Sequence, residues 1–398
     1  MTTVRPALVW AHRWIGLAIG GFLLMSGLTG SLLSWNEALD AALYPALRAT
    51  AAAGTPRLDP LVLRERLQQQ YPTLGFNAVD LRGREGKAAL FNVSPAHSAS
   101  HPAPTFDQIF VNPFTGEVQG TRMWGDISQG MKNLMPFIHN VHFSLALGSV
   151  GTAVLGVVGL LWTLQCFVGI ALTFPPRSNK KPWTARWWPA WRLRWQGSSA
   201  YKRSFDLHRA GGLWPWLMLL VIAWGSVYLT LPAVFNRVMQ TGLAHQQQIG
   251  RAAPSDKGIM MAWPQARDTG RALMQSEADS RGFQILEETK IAYDGSRGAY
   301  TYTYTVRSDR DVRDRTGQTT VTFDARSGQL LNVWLPTGAA SGDTVQVWIT
   351  AMHMSALGGW WYKVFDSVMG LAVCVLSATG ALMWWKKRAA RRRSGRTG

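Results

Sequence analysis

Five of the chain's eight histidines stand at the mouths of long apolar stretches. His12 opens "HRWIG" and His208 opens "HRAGG", while His139, His142 and His353 precede two further apolar runs. An imidazole nitrogen in such a place is costly to desolvate unless something binds it. Two imidazoles facing each other between packed helices are what a haem iron takes as axial ligands. The chain lacks a C-x-x-C-H attachment motif, so a haem held this way would be non-covalent, of the b type. His12, Gly16 and Gly20 fall at i, i+4 and i+8, one helix face against which a flat macrocycle would lie. Arg13 and Arg209 follow the two histidines directly and have the fork shape that suits haem propionates. For any one histidine, a headgroup-level polar residue is the plainer reading, and G-x-x-x-G faces more often pack helices than cofactors. Four histidines in two related pairs favour ligation. Zinc is a weaker candidate, because no cysteine or carboxylate stands beside them.

The elements that must position these residues are four nearly uncharged stretches, 14–35, 143–174, 210–235 and 364–385, each long enough to cross a bilayer. The first also resembles a signal peptide, but its apolar run is longer than the usual one, which favours an anchor. The net charge of +18 suggests nucleic acid only until it is located. Seventeen of the 41 basic residues lie in 1–13, 177–203 and 386–398, with no acid among them. The remaining basic and acidic residues nearly cancel. The charge is a topology signal that puts both termini and the 177–203 loop in the cytoplasm, with no nucleic-acid partner. Cys166 and Cys374 lie within the apolar stretches and read as buried structural thiols.

The chain repeats. His12-Arg13…Gly16 matches His208-Arg209…Gly212, and "HFSLALG" (142–148) resembles "HMSALGG" (353–359). His142 precedes Phe174 by 32 residues, and His353 precedes Trp385 by the same 32. Between the spans, each half carries a helical pattern and then short strands closing on a turn, Thr115-Gly116 or Ser327-Gly328. Each half thus reads span, outer module, span, and halves of equal orientation imply a pseudo-two-fold axis along the membrane normal. That axis turns His12 towards His208 at one depth and His142 towards His353 at another. His139 lies one turn before His142 and is the alternative outer ligand. His97 and His101, in a Pro- and Ser-rich loop, are weak metal candidates, and His245 has no evident partner.

On these residues the chain resembles the PepSY-associated transmembrane, or iron-regulated membrane protein, family. The "HRxxG" and "HxS" signals and the span–module–span duplication carry the resemblance over nearly the whole chain. It implies an α-helical integral membrane protein with four transmembrane helices as a tandem duplication, plus two small α+β PepSY-like periplasmic domains. The corresponding division is 8–36, 139–176, 204–236 and 353–386 for the helices, 37–138 and 237–352 for the modules, 177–203 for the basic loop and 387–398 for the tail. The resemblance further implies a siderophore reductase of the ferrioxamine type in the bacterial inner membrane. Two b haems would be held by His12, His208, His142 and His353. A cytoplasmic flavoprotein or quinol would be the electron donor, and a ferric siderophore docked between the modules the substrate.

Two other classes compete. A PepSY-type envelope regulator would leave the histidines without redox work, and a chelate permease would need more polar residues along the spans than Asp366, Gln165 and a few hydroxyls. The five tryptophans between Trp183 and Trp195 read as an interfacial anchor in preference to a protein-docking surface. If Arg5 and Arg177 share a depth, a straight second span would put His142 roughly 40 Å from the level of His12. A break at Gly148 or at Gly358-Gly359 would shorten that span.

Overall fold

The computed structural model describes residues 4–50, 54–95, 104–176, 181–196, 198–246, 259–295, 300–314 and 316–394. In chain order, α1 (Val4–Leu33), α2 (Asn36–Leu43) and α3 (Pro60–Gln70) precede strands β1 (Leu74–Gly75), β2 (Ala78–Asp80) and β3 (Ala89–Asn92). Strands β4 (Ser94–Pro95), β5 (Gln108–Val111) and β6 (Val118–Arg122) lead to α4 (Leu134–Ser144) and α5 (Gly148–Thr173). Helices α6 (Trp183–Trp187), α7 (Ala200–Leu213), α8 (Trp216–Thr230), α9 (Pro232–Met239) and α10 (Trp263–Arg281) follow. The chain ends with β7 (Ile285–Asp294), β8 (Thr301–Ser308), β9 (Thr319–Asp324), β10 (Leu330–Trp334), α11 (Ser341–His353) and α12 (Gly359–Ser394). These elements form two compact units, one of residues 1–35, 138–239 and 349–398, the other of 36–137 and 240–348.

In the first unit, α1, α5 and α12 are each long and apolar enough to cross a membrane. The third expected span is not one helix. It divides into α7 and α8, bent by 71° at Trp214-Pro215, because proline has no N–H to donate and its ring blocks the carbonyl one turn back. Helix α1 packs along α12 and α5, α8 along α5, and α7 along α12. Glycines set the closest of these approaches. The carbonyls of Gly27 and Gly370 each lie within 2.7 Å of where the other residue's side chain would begin. Ser31 ties the same seam by donating to Ser367 O at 3.1 Å, the small-residue packing usual between apolar helices. Arg5 caps the end of α5, donating to Leu172 O and Phe174 O at 2.9 and 3.0 Å. Beyond that cap, the rings of Phe174, Trp183, Trp187 and Trp191 meet in sequence at 4.8–5.7 Å, tilted or edge-to-face. Trp187 also donates to Thr173 Oγ1 at 3.1 Å, while Trp183, Trp188 and Trp195 stay exposed.

The breaks before α5 and α12 are sharp. Leu145 and Ala146 have φ of 54° and 55°, Ser355 has 53°, and Gly148, Gly358 and Gly359 share the left-handed region. For residues with a Cβ this conformation costs roughly 1–2 kcal/mol each. The fold holds it by laying the Ser144 carbonyl against Gly151, where no side chain fits.

In the second unit, the segments expected as two modules share one sheet. A five-stranded antiparallel sheet runs β10-β9-β8-β7-β2, so β2 of the earlier segment completes the later meander, with Val79 opposite Ile291. A three-stranded sheet, β3-β5-β6, stands beside a two-stranded pair, β1-β4. Phe76, Phe91, Ile109, Met274, Tyr304 and Phe323 are fully buried within a common core. The two hairpin glycines, Gly116 and Gly328, have φ of 83° and 73°, a conformation that turns of this kind reserve for glycine. Asp59 caps α3 by accepting from Leu61 N at 2.7 Å, with Pro60 at the first helical position. Asp59 also binds Arg267 of α10 at 2.8 Å. Arg267 reaches Glu288 at 2.6 Å, and Arg271 donates to the same carboxylate at 3.1 Å. Arg122 pairs with Asp40 at 3.0 Å, and both are buried.

The Glu288 carboxyl is held below its usual 4.5: burial opposes ionisation, but hydrogen bonds from Arg267 and Tyr304 and the charges of Arg267 and Arg271 outweigh it. A depressed acid contributes stability above its ordinary value and loses it as pH falls through the folded value. Glu288→Gln should therefore lower the melting temperature at pH 7 and flatten its fall below about pH 4.5. Thermal unfolding of the detergent-solubilised chain across pH checks this; an unchanged pH profile would refute the assignment.

Candidate functional site

The site is built from imidazoles whose two nitrogens are treated differently. His208, on α7, has Nδ1 3.0 Å from Leu376 O and 3.1 Å from Thr379 Oγ1. A carbonyl only accepts, so Nδ1 carries the proton and Nε2 keeps its lone pair. His353 repeats this with Ile222 O at 3.0 Å. His142 has Nδ1 2.8 Å from Thr29 Oγ1. That hydroxyl gives its one proton to Met25 O at 2.8 Å, and so accepts from the imidazole. Three of the four expected ligands thus have the tautomer that leaves Nε2 as a donor to a metal. His12 differs: its Nδ1 is buried without a partner.

The structure brings His12 and His208 together, with ring centroids 6.1 Å apart and planes at 72°. An iron taking one nitrogen from each side at about 2 Å would set the ring centres about 6.3 Å apart, so the gap fits bis-imidazole ligation. His142 lies within electrostatic reach of His353 and also of His139. His139 stacks on Phe143 at 6.1 Å and 28°. Among the described residues, no three His, Cys, Asp or Glu side chains gather as a metal site.

Each ligand candidate rests over a glycine of a neighbouring helix. A methyl group on Gly30 would stand 3.1 Å from His142 Cε1, and one on Gly225 3.1 Å from His353 Nδ1. Methyls on Gly169 and Gly380 would stand 3.6 and 3.4 Å from Cε1 of His12 and His208. Sequence reasoning missed all four glycines, although the repeat contains a signal for two of them. Gly169 follows His142 by 27 residues, and Gly380 follows His353 by the same 27. On the expected face of α1, methyls on Gly16 and Gly20 would meet nothing within 4 Å, so that face is open.

The two arginines part company. Arg13 is half-exposed with no ion pair among the described residues. Arg209 is already engaged, donating to Asp206 Oδ1 at 2.8 Å and Pro189 O at 2.9 Å. Asp206 also takes Arg194, at 3.0 and 3.1 Å. One carboxylate between two guanidiniums leaves this cluster with a net positive charge, but the Nη2 of Arg209 is already committed. His245, unpartnered by sequence, binds Asp343 at 2.8 Å. His97 and His101 lie outside the described residues.

The span between the two histidine levels is shorter than the straight-helix expectation. His142 docks at Thr29 of the helix that carries His12, 17 residues further along it, a rise of about 26 Å at 1.5 Å per residue. The reason is the pair of breaks at Gly148 and Gly358-Gly359, which let α4 and α11 turn their last residues back against α1 and α8.

Close packing under His353 is testable without any cofactor. Gly225→Ala brings a methyl to 3.1–3.2 Å of His353 and Ile349, a clash of about 1–3 kcal/mol. Gly21→Ala on α1 meets nothing within 4 Å and should instead gain up to about 1 kcal/mol of helix propensity. Thermal unfolding in detergent should show opposite shifts; equal shifts would refute the packing.

Among curated proteins no match to the chain is found. The family model described as the PepSY-associated TM region matches residues 9–387. That span runs from within α1 to within α12 and includes every histidine considered above, and it makes this multi-pass membrane chain a member of the PepSY-associated transmembrane family.

Proposed function

We propose that the chain is a di-haem b protein of the bacterial inner membrane that reduces siderophore-bound Fe(III) on the periplasmic side. Its electrons would come from a cytoplasmic flavoprotein or from quinol. One observation carries the reading: His12 and His208 face each other at 6.1 Å, a separation suited to one iron between them. His12 and His208 would hold the inner group. His142 and His353 would hold the outer one, with His139 as the alternative outer ligand. Haem held in this way supplies one-electron exchange, at a potential tuned by its axial ligands and their hydrogen bonds.

The chain's own residues do the rest. Leu376 O, Ile222 O and Thr29 Oγ1 accept the Nδ1 protons and so hold the rings with Nε2 bare. Gly16 and Gly20 leave flat room beside α1, and Arg13 offers a cation to a carboxylate there. The apolar walls of the helix bundle exclude water. The siderophore is the substrate, and its hydroxamate or catecholate oxygens are hard ligands that hold Fe(III) better than Fe(II), so reduction loosens the chelate.

Four spans as a tandem duplication fit the same reading, with α7 and α8 as one bent span. The glycines under His12 and His208 stand at matching positions of the two halves, as do Thr29-Gly30 and Gly225 to within one residue. The extra residue falls in the first half, where Gly30 follows His12 by 18 residues and Gly225 follows His208 by 17. The basic ends of the spans support cytoplasmic termini, and the exposed tryptophans at and beside α6 suit a lipid headgroup layer.

An absorption spectrum of the purified chain, oxidised and dithionite-reduced, with a pyridine haemochrome assay, tests the proposal. About two haems b per chain are expected; a colourless protein made with ample haem would refute it. His12→Ala and His208→Ala should each remove one spectral component, and His142→Ala and His353→Ala the other. His139→Ala should spare both, and loss of a component would move the outer ligand there.

A further inference from the structure

We infer that Gln165 is the positioning residue for His12: its amide oxygen receives the Nδ1 proton of that ring and so sets the electron donation of the ligand. The inference rests on the haem reading above.

Gln165 lies on α5 with 7 % of its surface exposed, beside the His12 ring. Its Nε2 donates to Ala11 O at 3.3 Å, on the residue just before His12. The reverse amide orientation would set two acceptors against each other there, so Oε1 is the atom left over. Gln165 Oε1 and His12 Nδ1 are both buried, and neither has a partner in hydrogen-bond geometry. A protonated Nδ1 and an amide oxygen are complementary donor and acceptor, and here both are left unpaired. A metal on Nε2 would require the proton on Nδ1 and leave Gln165 as its acceptor.

The repeat strengthens the assignment. Gln165 follows His142 by 23 residues, and Leu376 follows His353 by 23. Leu376 is the residue whose carbonyl accepts from His208 Nδ1 at 3.0 Å. At the same place in each half, then, the chain provides an acceptor for the facing imidazole. In one half it is a backbone carbonyl that substitution cannot remove. In the other it is a side-chain amide, which makes the His12 side the adjustable one.

The test uses the full haem-loaded chain as wild type, Gln165→Leu and Gln165→Glu, with haem content and a spectroelectrochemical titration of both components. Leucine removes the acceptor, so the imidazole donates less and the potential of one component should rise. Glutamate is the stronger acceptor and nearly isosteric, so the same component should shift down. That component should be the one His12→Ala abolishes, and the other should stay in place. Two haems whose potentials ignore position 165 in both variants would overturn this inference alone. A wild-type chain without haem would overturn the functional reading and the inference with it. If the leucine variant does not fold, the downward shift in the glutamate variant still decides.

Discussion

An imidazole buried among apolar helices must account for both of its nitrogens, and most of the helical unit is arranged around that requirement. Helix backbones are poor sources of acceptors, since nearly every carbonyl already receives a bond from four residues on. A carbonyl has two lone pairs, however, and Leu376 and Ile222 use the second for His208 and His353. For His142 the acceptor is the hydroxyl of Thr29, polarised by its own bond to Met25 O. Each solution needs the ring to lie almost against the neighbouring backbone. Glycine is the one residue that permits this at 30 and 225, where a methyl would crowd the ring.

The same requirement explains where the chain departs from straight helices. His142 and His353 can meet α1 and α8 only if α4 and α11 end before α5 and α12 begin. The left-handed Leu145, Ala146 and Ser355 are the local cost, and tertiary contacts such as the Ser144 carbonyl on Gly151 hold them there. Pro215 does the corresponding work in the third stretch, where it separates the helix of His208 from the helix that accepts His353. Breaks that look like defects in a membrane helix are thus the means of aiming side chains, and N–H groups at the breaks bond to carbonyls just before them, as Ala146 N does to Asn140 O at 3.0 Å and Ala356 N to Ala351 O at 2.9 Å.

The second unit is held by different physics. Its five-stranded antiparallel sheet is drawn from two distant segments, and both contribute to one core, so neither segment completes that core alone. Asp40 and Arg122 are buried together, with Arg122 also bound to Gln108 and Lys132. Burial raises the Asp40 carboxyl and the Arg122 charge works against that rise. A pair of this kind contributes little net stability but is costly to break singly, because either partner alone would be an uncompensated charge.

Apolar length, basic ends and the repeat are properties of composition and order, so the membrane-crossing helices, the pairing of His12 with His208 and the glycines that permit a break were all legible in the sequence. The hairpin turns at Gly116 and Gly328 were legible too, because only glycine adopts those angles cheaply. The second-unit sheet was not: β2 is three residues long, and a strand so short acquires its partner only when the distant meander supplies an edge. Nor were Thr29, Gln165, Thr379 and the four cradle glycines, which sit more than a hundred residues from the rings they meet. Periodicity tells which face of a helix is apolar, but the depth at which two helices meet depends on tilt and on the residues at their breaks. Tertiary structure alone decided that the rings of His142, His208 and His353 are held at Nδ1 and left free at Nε2.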